Sequence, residues 1–575
     1  MLLLKGNALN VFCILLLIVC PLLFPKIGEQ QYSYVQGLCF LLLAWLGLVF
    51  QIQKHKQAIV VRSMDVAMGV CLLALLLHIF WIRPVSLSVW RWVDAVGLFA
   101  FYGFVRLSSP KEIKVLVACV MVGGWLQCFY AGMQGTGLLP SLHSAFPMTG
   151  SFLNPAPLAG YLAVLVCMLG TVLFLDNRLK GRTRKFAWGS LLLFFLFVLL
   201  LNSRAALFAT IVIMAVVGYS RMKFKRKKLY AGILIVGLGL SLYGLYQVRE
   251  VSANGRLFIW KNTCEMIRDH PLIGVGIDRF KAEFPTYQAQ YHSRLTEEVE
   301  KYYDGNTFLV FNEYLRAVAE TGFLLPLLFL FPIGVVYSCR NRSPGCRAAV
   351  SGIACILVFS CFSYPFSVFT LEVLTVLLVA VIGRWSRPMV RWKLPWGINY
   401  LVTGMAVGCV CMTLNGMMAV CEWYDHQHAS CSFSTSFDYE KHAVWFNEDI
   451  SFIRSRCREA EMKGDTVQAL TVLNEAISRV PVAGFYLQRA DLYMATGEHL
   501  SAEQEYRFLC HLSPTNMEPV FKLALLYQQT GKGKEALELL EPYQKISPRG
   551  KTLEQKAMLL KMRELFLAIS QNVSL

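Results

Sequence analysis

The chain has 575 residues, of which 56% are hydrophobic and only 16% charged, and its mean hydropathy is +0.49. A soluble protein carries roughly 25% charged residues, so the composition excludes a wholly water-soluble fold. The net charge of +18 does not point to nucleic acid. Lys and Arg crowd alternate short loops: Lys54, Lys56 and Arg62; Arg106, Lys111 and Lys114; then NRLKGRTRK, RMKFKRKK, RNRSPGCR and RWSRPMVRWK, while residues 133–156 contain neither. That alternation is the positive-inside pattern of a multi-pass membrane protein, with the basic loops facing anionic lipid.

In chain order, apolar runs fall at 8–25, 32–51, 64–82, 88–105, 113–132, 157–176, 185–201, 205–220, 229–247, 322–339, 348–364, 367–383 and 399–421. Runs of about 20 residues cross roughly 30 Å of hydrocarbon as helices, so about thirteen spans are expected. The first run has no small-x-small cleavage site and is followed at once by another, so it reads as a helix and not a signal peptide. Placing the basic loops in the cytoplasm puts the N-terminus inside. The loop at about 248–306 and everything after residue 422 then lie outside. The Cys residues lie mainly within spans, without CxxC spacing. Cys431, Cys457 and Cys510 fall outside, where a disulfide is open to them but not required by spacing.

Several polar features interrupt the apolar series. TGSFLNPAPLAGY (149–161) carries the turn signal Asn154-Pro155, and Asn154 is placed to orient a sugar. Ser203-Arg204 in NSRAAL breaks two spans on the outer face; its plainer role is snorkelling to lipid phosphate. The polar stretch 249–322 is the largest interruption. It holds Arg256 in RLFIW, Trp260, then DHPLIGVGIDRF with Gly274, Gly276 and Arg279, then His292 in QYHSR. A guanidinium keeps its charge and can grip phosphate with two parallel hydrogen bonds. The plainer readings are an amphipathic helix on the bilayer for 256–268 and a surface loop position for His292. Asn312 and Glu313 precede the tenth span, and Glu320 lies two turns on along the same face. A carboxylate here suits a general base, or simply a helix-end anchor.

The stretches GSFLNPAPLAGYL (150–162), NSRAAL (202–207), GRLFIWKNTCEMIRDHPLIGVG (255–276) and NEYLRAVAETG (312–322), in this order around one external loop, resemble the O-antigen ligase, O-antigen polymerase and O-oligosaccharyltransferase superfamily. The resemblance covers the membrane domain. It implies a polyprenyl-diphosphate-linked glycan as donor, inversion at the transferred sugar, and no cofactor, nucleotide sugar or metal. Arg204 and Arg256 would then stabilise the diphosphate leaving group. Ser203, Asn154, Trp260, Arg279, His292, Asn312 and Glu320 would line the substrate site. Ligases of the family carry His immediately before the Asn, whereas here that residue is Phe311, which leaves Glu313 as the first substitute base.

The C-terminal part is periodic. Gly464, Gly497 and Gly531 recur at 33 and 34 residues, Ala469, Ala502 and Ala536 follow five residues after each, and Pro481, Pro514 and Pro548 close the units. A 34-residue period with small residues at helix crossings predicts tetratricopeptide repeats, with helices at 449–462, 465–479, 484–496, 499–511, 516–529, 532–545 and 552–570.

The expected fold is all-α. A polytopic membrane domain spans 1–422, a linker 423–448, and an α-solenoid 449–575. The expected function is transfer of a preassembled glycan to a lipid or protein acceptor at the periplasmic face of a bacterial inner membrane, with the repeats docking a protein partner. A polymerase is the runner-up. A transporter or flippase and a non-catalytic scaffold are the rivals from other classes.

Overall fold

The computed structural model describes residues 29–54, 58–85, 87–176, 179–221, 232, 250–294, 305–340, 343–393, 397–428, 437–546 and 552–573. The expected span at 8–25, that at 229–247 apart from residue 232, and Cys431 lie outside the described residues. The chain forms two compact units. The first comprises residues 1–250, 311–317 and 323–438; the second comprises 251–310, 318–322 and 439–575.

The first unit is a set of apolar helices, with a helix or helix pair at each expected span among the described residues. Among the described residues, six helices are long and apolar enough to cross a membrane: Tyr34–Lys54, Ser63–Ile82, Pro110–Gly135, Pro155–Leu175, Gly181–Leu200 and Ile398–His428. A broken pair, Glu313–Thr321 with Leu324–Cys339, makes a seventh if counted as one span. Arg204–Ser220, Pro344–Ser360 and Phe369–Gly383 are apolar but shorter. Pro155–Leu175 is buried nearly all round, as expected of a central helix without a polar face. It packs against Gly181–Leu200, Arg204–Arg221 and Pro344–Ser360.

Helix ends in this unit follow local chemistry. Ser109 and Glu112 form a reciprocal capping box behind Pro110, satisfying otherwise orphaned N–H groups. Glu112 also accepts from Lys54 Nζ at 3.1 Å and Gln51 Nε2 at 3.1 Å, joining two helix ends. Asp65 accepts from Tyr102 Oη at 2.7 Å and from both Arg106 Nε and Nη2. Beside it, Ala58–Arg62 pairs antiparallel with Pro388–Lys393. This ribbon joins two basic loops and is the one departure from all-helical structure among the described residues.

The second unit contains the helices Phe280–Arg294, most of Glu250–Asp269, and those from Tyr439 onward. Its C-terminal part runs Ile450–Met462, Thr466–Arg479, Ala483–Ala495, His499–Leu512, Met517–Gln529, Gly533–Gln544 and Leu553–Val573, each within a few residues of the period-based expectation, and each packing on the next. Gly464, Gly497 and Gly531 sit at φ +74, +80 and +76, the left-handed conformation that ends a helix. Ala469, Ala502 and Ala536 are fully buried where paired helices meet. Cys457 and Cys510 are free thiols. Burial, with Glu461 adding to it, pushes the Cys457 thiol up to about 12.

One helix packed against this series comes from distant sequence. The loop helix Phe280–Arg294 packs on His499–Leu512 and, less extensively, on Thr466–Arg479. Gln288 Nε2 donates to the Leu512 carbonyl at 2.9 Å, and Lys281 pairs with Glu448 at 2.7 Å. The loop and the C-terminal helices therefore share one core, with Ala289 buried among Tyr486, Tyr506 and Leu512.

Candidate functional site

In the first unit, Asn154 caps Pro155–Leu175, its side chain accepting from Ala156 N at 2.9 Å. The preceding stretch is held by two glutamines that motif reading did not single out. Gln134 Oε1 accepts from Thr149 N at 3.0 Å and Gly150 N at 2.8 Å. Gln127 Oε1 accepts from Ser151 N at 3.1 Å, and its amide donates to Ser151 Oγ at 2.7 Å. Both glutamines are buried. A polar residue late in an apolar run was the available signal, because such residues in a membrane segment are expensive and seldom idle.

Ser203 is buried and its carbonyl accepts from Leu207 N. Arg204 opens the helix Arg204–Arg221, just after Asn202 at φ +51. A helix N-terminus carries about half a positive charge, so a guanidinium placed there adds to an electropositive spot. The arrangement suits a phosphate or diphosphate.

Asn312 caps Glu313–Thr321, its Oδ1 accepting from Tyr314 N at 3.0 Å and Leu315 N at 3.1 Å. Phe311 lies at φ +56, with its ring edge-on to Tyr364 at 5.4 Å. Glu313 is only 7% exposed. One of its oxygens accepts from Phe366 N at 3.1 Å, and the other pairs with Arg316 at 2.8 Å. Arg316 continues to Ser367 Oγ at 2.7 Å. Both Glu313 oxygens are thus engaged. A carboxylate has about four lone-pair sites, so capacity to accept a further proton or hydrogen bond remains.

In the second unit, Arg256 and Trp260 lie on Glu250–Asp269, and Trp260 Nε1 donates to the Val310 carbonyl at 2.9 Å. Arg279 pairs with Glu283 one helical turn on, at 2.5 Å. His292 is 4% exposed, with Nδ1 2.9 Å from the His511 carbonyl and its ring stacked on Phe258 at 5.1 Å. These contacts give it a packing role in the core shared by loop and C-terminal helices. Tyr287 donates to Asp269 at 3.0 Å; burial, then that hydrogen bond, push its hydroxyl up to about 12.

Glu320 contributes its backbone: its carbonyl accepts from Gly276 N, and that of Ala319 from Val275 N, each at 2.9 Å. This close approach explains two glycines. A Cβ on Gly274, at φ +66, would lie 2.3 Å from the Glu320 carbonyl carbon, and one on Gly322, at φ +71, would lie 2.0 Å from the Leu272 oxygen.

Of the expected site residues, Asn154, Ser203, Arg204, Asn312 and Glu313 belong to the first unit, and Arg256, Trp260, Arg279, His292 and Glu320 to the second. Among the described residues, no group of three or more His, Cys, Asp or Glu is arranged to hold a metal ion.

Comparison with protein families gives one match: a model described as O-antigen ligase covers residues 189–331. No curated protein matches the chain. The matched stretch includes every expected site residue except Asn154, and none of the C-terminal helices. It supports a glycan-transferring enzyme of ligase or polymerase type, carried by a multi-pass membrane protein.

Proposed function

We propose that the protein transfers a preassembled glycan from a polyprenyl diphosphate to a lipid or protein acceptor, at the periplasmic face of a Gram-negative inner membrane. The observation that carries this reading is the family match over 189–331, which takes in both candidate cations and the acidic helix start. In the proposed step the acceptor oxygen attacks the anomeric carbon from the face opposite the diphosphate. The bond from that carbon to the diphosphate oxygen breaks, and the diphosphate leaves with the electron pair. Arg204 and Arg256 stabilise the charge that grows on it, the kind of fixed electrostatic support that lowers such barriers. Glu313 takes the acceptor's proton, while Asn154, Ser203, Trp260, Arg279, His292, Asn312 and Glu320 shape or support the substrate site. The N-terminus is cytoplasmic in this reading. The C-terminal helices are tetratricopeptide repeats that hold the loop and dock a protein partner.

Phe311 in place of the ligase His favours a second reading, a polymerase that extends the glycan on its carrier. The test is a gel and mass-spectrometric comparison of glycans in wild-type and deletion strains. Long chains stranded on the carrier support the ligase; collapse to single repeat units supports the polymerase. Unchanged glycans overturn both. In the same strain, Arg204→Ala and Arg256→Ala are expected to cut transfer by about 10²-fold or more in protein that still inserts. Unchanged transfer in both variants removes the assigned roles.

A further inference from the structure

The span helices of the first unit are not as free of charge as their mean hydropathy suggests. Val89–Leu107 carries Arg91 and Asp94 in its first two turns, and Phe369–Gly383 carries Glu372 in its first turn. These two helices pack against each other. Glu372 lies within electrostatic reach of Arg91, Asp94, Arg316 and Glu313, and Glu313 within reach of Arg91 as well as Arg316. Asp94 also abuts Glu29–Lys54, where a Cβ on Gly37 would come within 3.1 Å of its Oδ1. The surroundings are apolar: Val93, Phe101 and Leu371 are buried, and Phe40 meets Phe369 edge-on at 5.0 Å.

Glu372 thus lies within reach of two further carboxylates and two guanidiniums. An excess negative charge among apolar helices is expensive, and a proton relieves it. Glycan transfer to a hydroxyl releases one proton for each bond made, and Phe311 has no atom to receive it.

We propose that Asp94, Glu313 and Glu372 form a carboxylate cluster that receives the proton released in transfer. Glu313 is the acceptor of that proton, and Asp94 and Glu372 are positioning residues that act through it. This rests on the glycan-transfer reading above. The acceptor O–H bond breaks as the new O–C bond forms. The bond from the anomeric carbon to the diphosphate oxygen breaks, and its electron pair leaves with the diphosphate. The proton goes to the Glu313 carboxylate. It passes to water when product departs.

The test uses full-length variants in membranes of the deletion strain, supplied with a synthetic polyprenyl-diphosphate disaccharide. Release of polyprenyl diphosphate is followed against pH and donor concentration. Glu372→Gln is expected to lower the rate at saturating donor by about 10²-fold, leaving donor KM within about twofold. Its acid limb moves to lower pH, because a carboxylate that loses a negative neighbour ionises more readily. Asp94→Asn is expected to move the limb the same way by less, and Glu372→Asp to recover most of the rate. An unmoved acid limb in Asp94→Asn, with a rate near wild type, overturns the proposal even if Glu372→Gln fails to insert. Wild-type membranes that release no polyprenyl diphosphate overturn the transfer reading itself. Arg204→Ala, expected to lose rate at every pH without moving the limb, separates the two.

Discussion

In the first unit, Arg91, Asp94, Glu313, Arg316 and Glu372 gather among apolar helices, with Glu313 7% exposed. In the second, Glu503, itself 9% exposed, pairs at 2.8 Å each with Lys532 and Arg507, cations whose side chains stay 44% and 60% exposed. The residue types are the same, and the consequences differ with the medium. A pair whose cations stay in water exchanges one set of contacts for another and is worth about 1 kcal/mol or less. A pair away from water has no such alternative, so removing one partner strands the other.

Four substitutions grade this contrast. Arg316→Ala leaves Glu313 buried without its nearest cation and is expected to destabilise the first unit by about 4 kcal/mol, seen as a lowered Tm of the detergent-solubilised protein. A loss below about 1 kcal/mol would mean that Glu313 behaves as a surface carboxylate. Gly322→Ala forces a side chain into a left-handed backbone conformation against the Leu272 carbonyl. It is expected to cost about 3 kcal/mol, read as lost amide protection near 272–276. Gln134→Ala strips two buried N–H groups, of Thr149 and Gly150, of their acceptor, at about 2 kcal/mol. Faster proteolysis within 140–154 is the expected readout.

Glu503→Gln is the mildest, below about 1 kcal/mol. The hydrogen bond from Lys532, backed by Tyr527, holds the Glu503 carboxyl below its ordinary range. Its contribution is therefore fully present above about pH 4.3, the usual glutamate value, and is lost as pH falls through the lower folded value. Amide protection factors in His499–Leu512, taken relative to the intrinsic exchange rate at each pH, should fall on that acidification in wild type, and less so in the variant.

Legibility in the sequence follows the same divide. The second unit's C-terminal helices were readable because a period repeats one packing solution, so Gly464, Gly497 and Gly531 announce each turn together. The apolar helices of the first were readable from hydropathy alone. Asn154 and Asn312 were recognised as special, but the sequence does not distinguish a ligand-facing amide from the helix caps they form. Asp94, Glu372 and Arg316 do not stand out in the sequence because a window average dilutes one charge among many apolar residues. Their meaning comes only from neighbours on other helices. The ribbon of Ala58–Arg62 with Pro388–Lys393 was illegible for a related reason: two short basic stretches far apart carry no mark that they pair.

The loop helix Phe280–Arg294 has a consequence for biogenesis. Its partner on the repeats lies far downstream, 224 residues separating Gln288 from Leu512. At synthesis rates of about 5–20 residues per second, the wait is on the order of 10 to 40 seconds. Throughout that interval the face built from Gln288, Ala289 and His292 has no mate from the repeats, while later apolar helices are still being threaded into the bilayer. A chaperone that shields this face would be needed most by chains whose translation stalls before residue 500, and premature stops in the repeats should be cleared by proteolysis rather than tolerated as shortened enzymes.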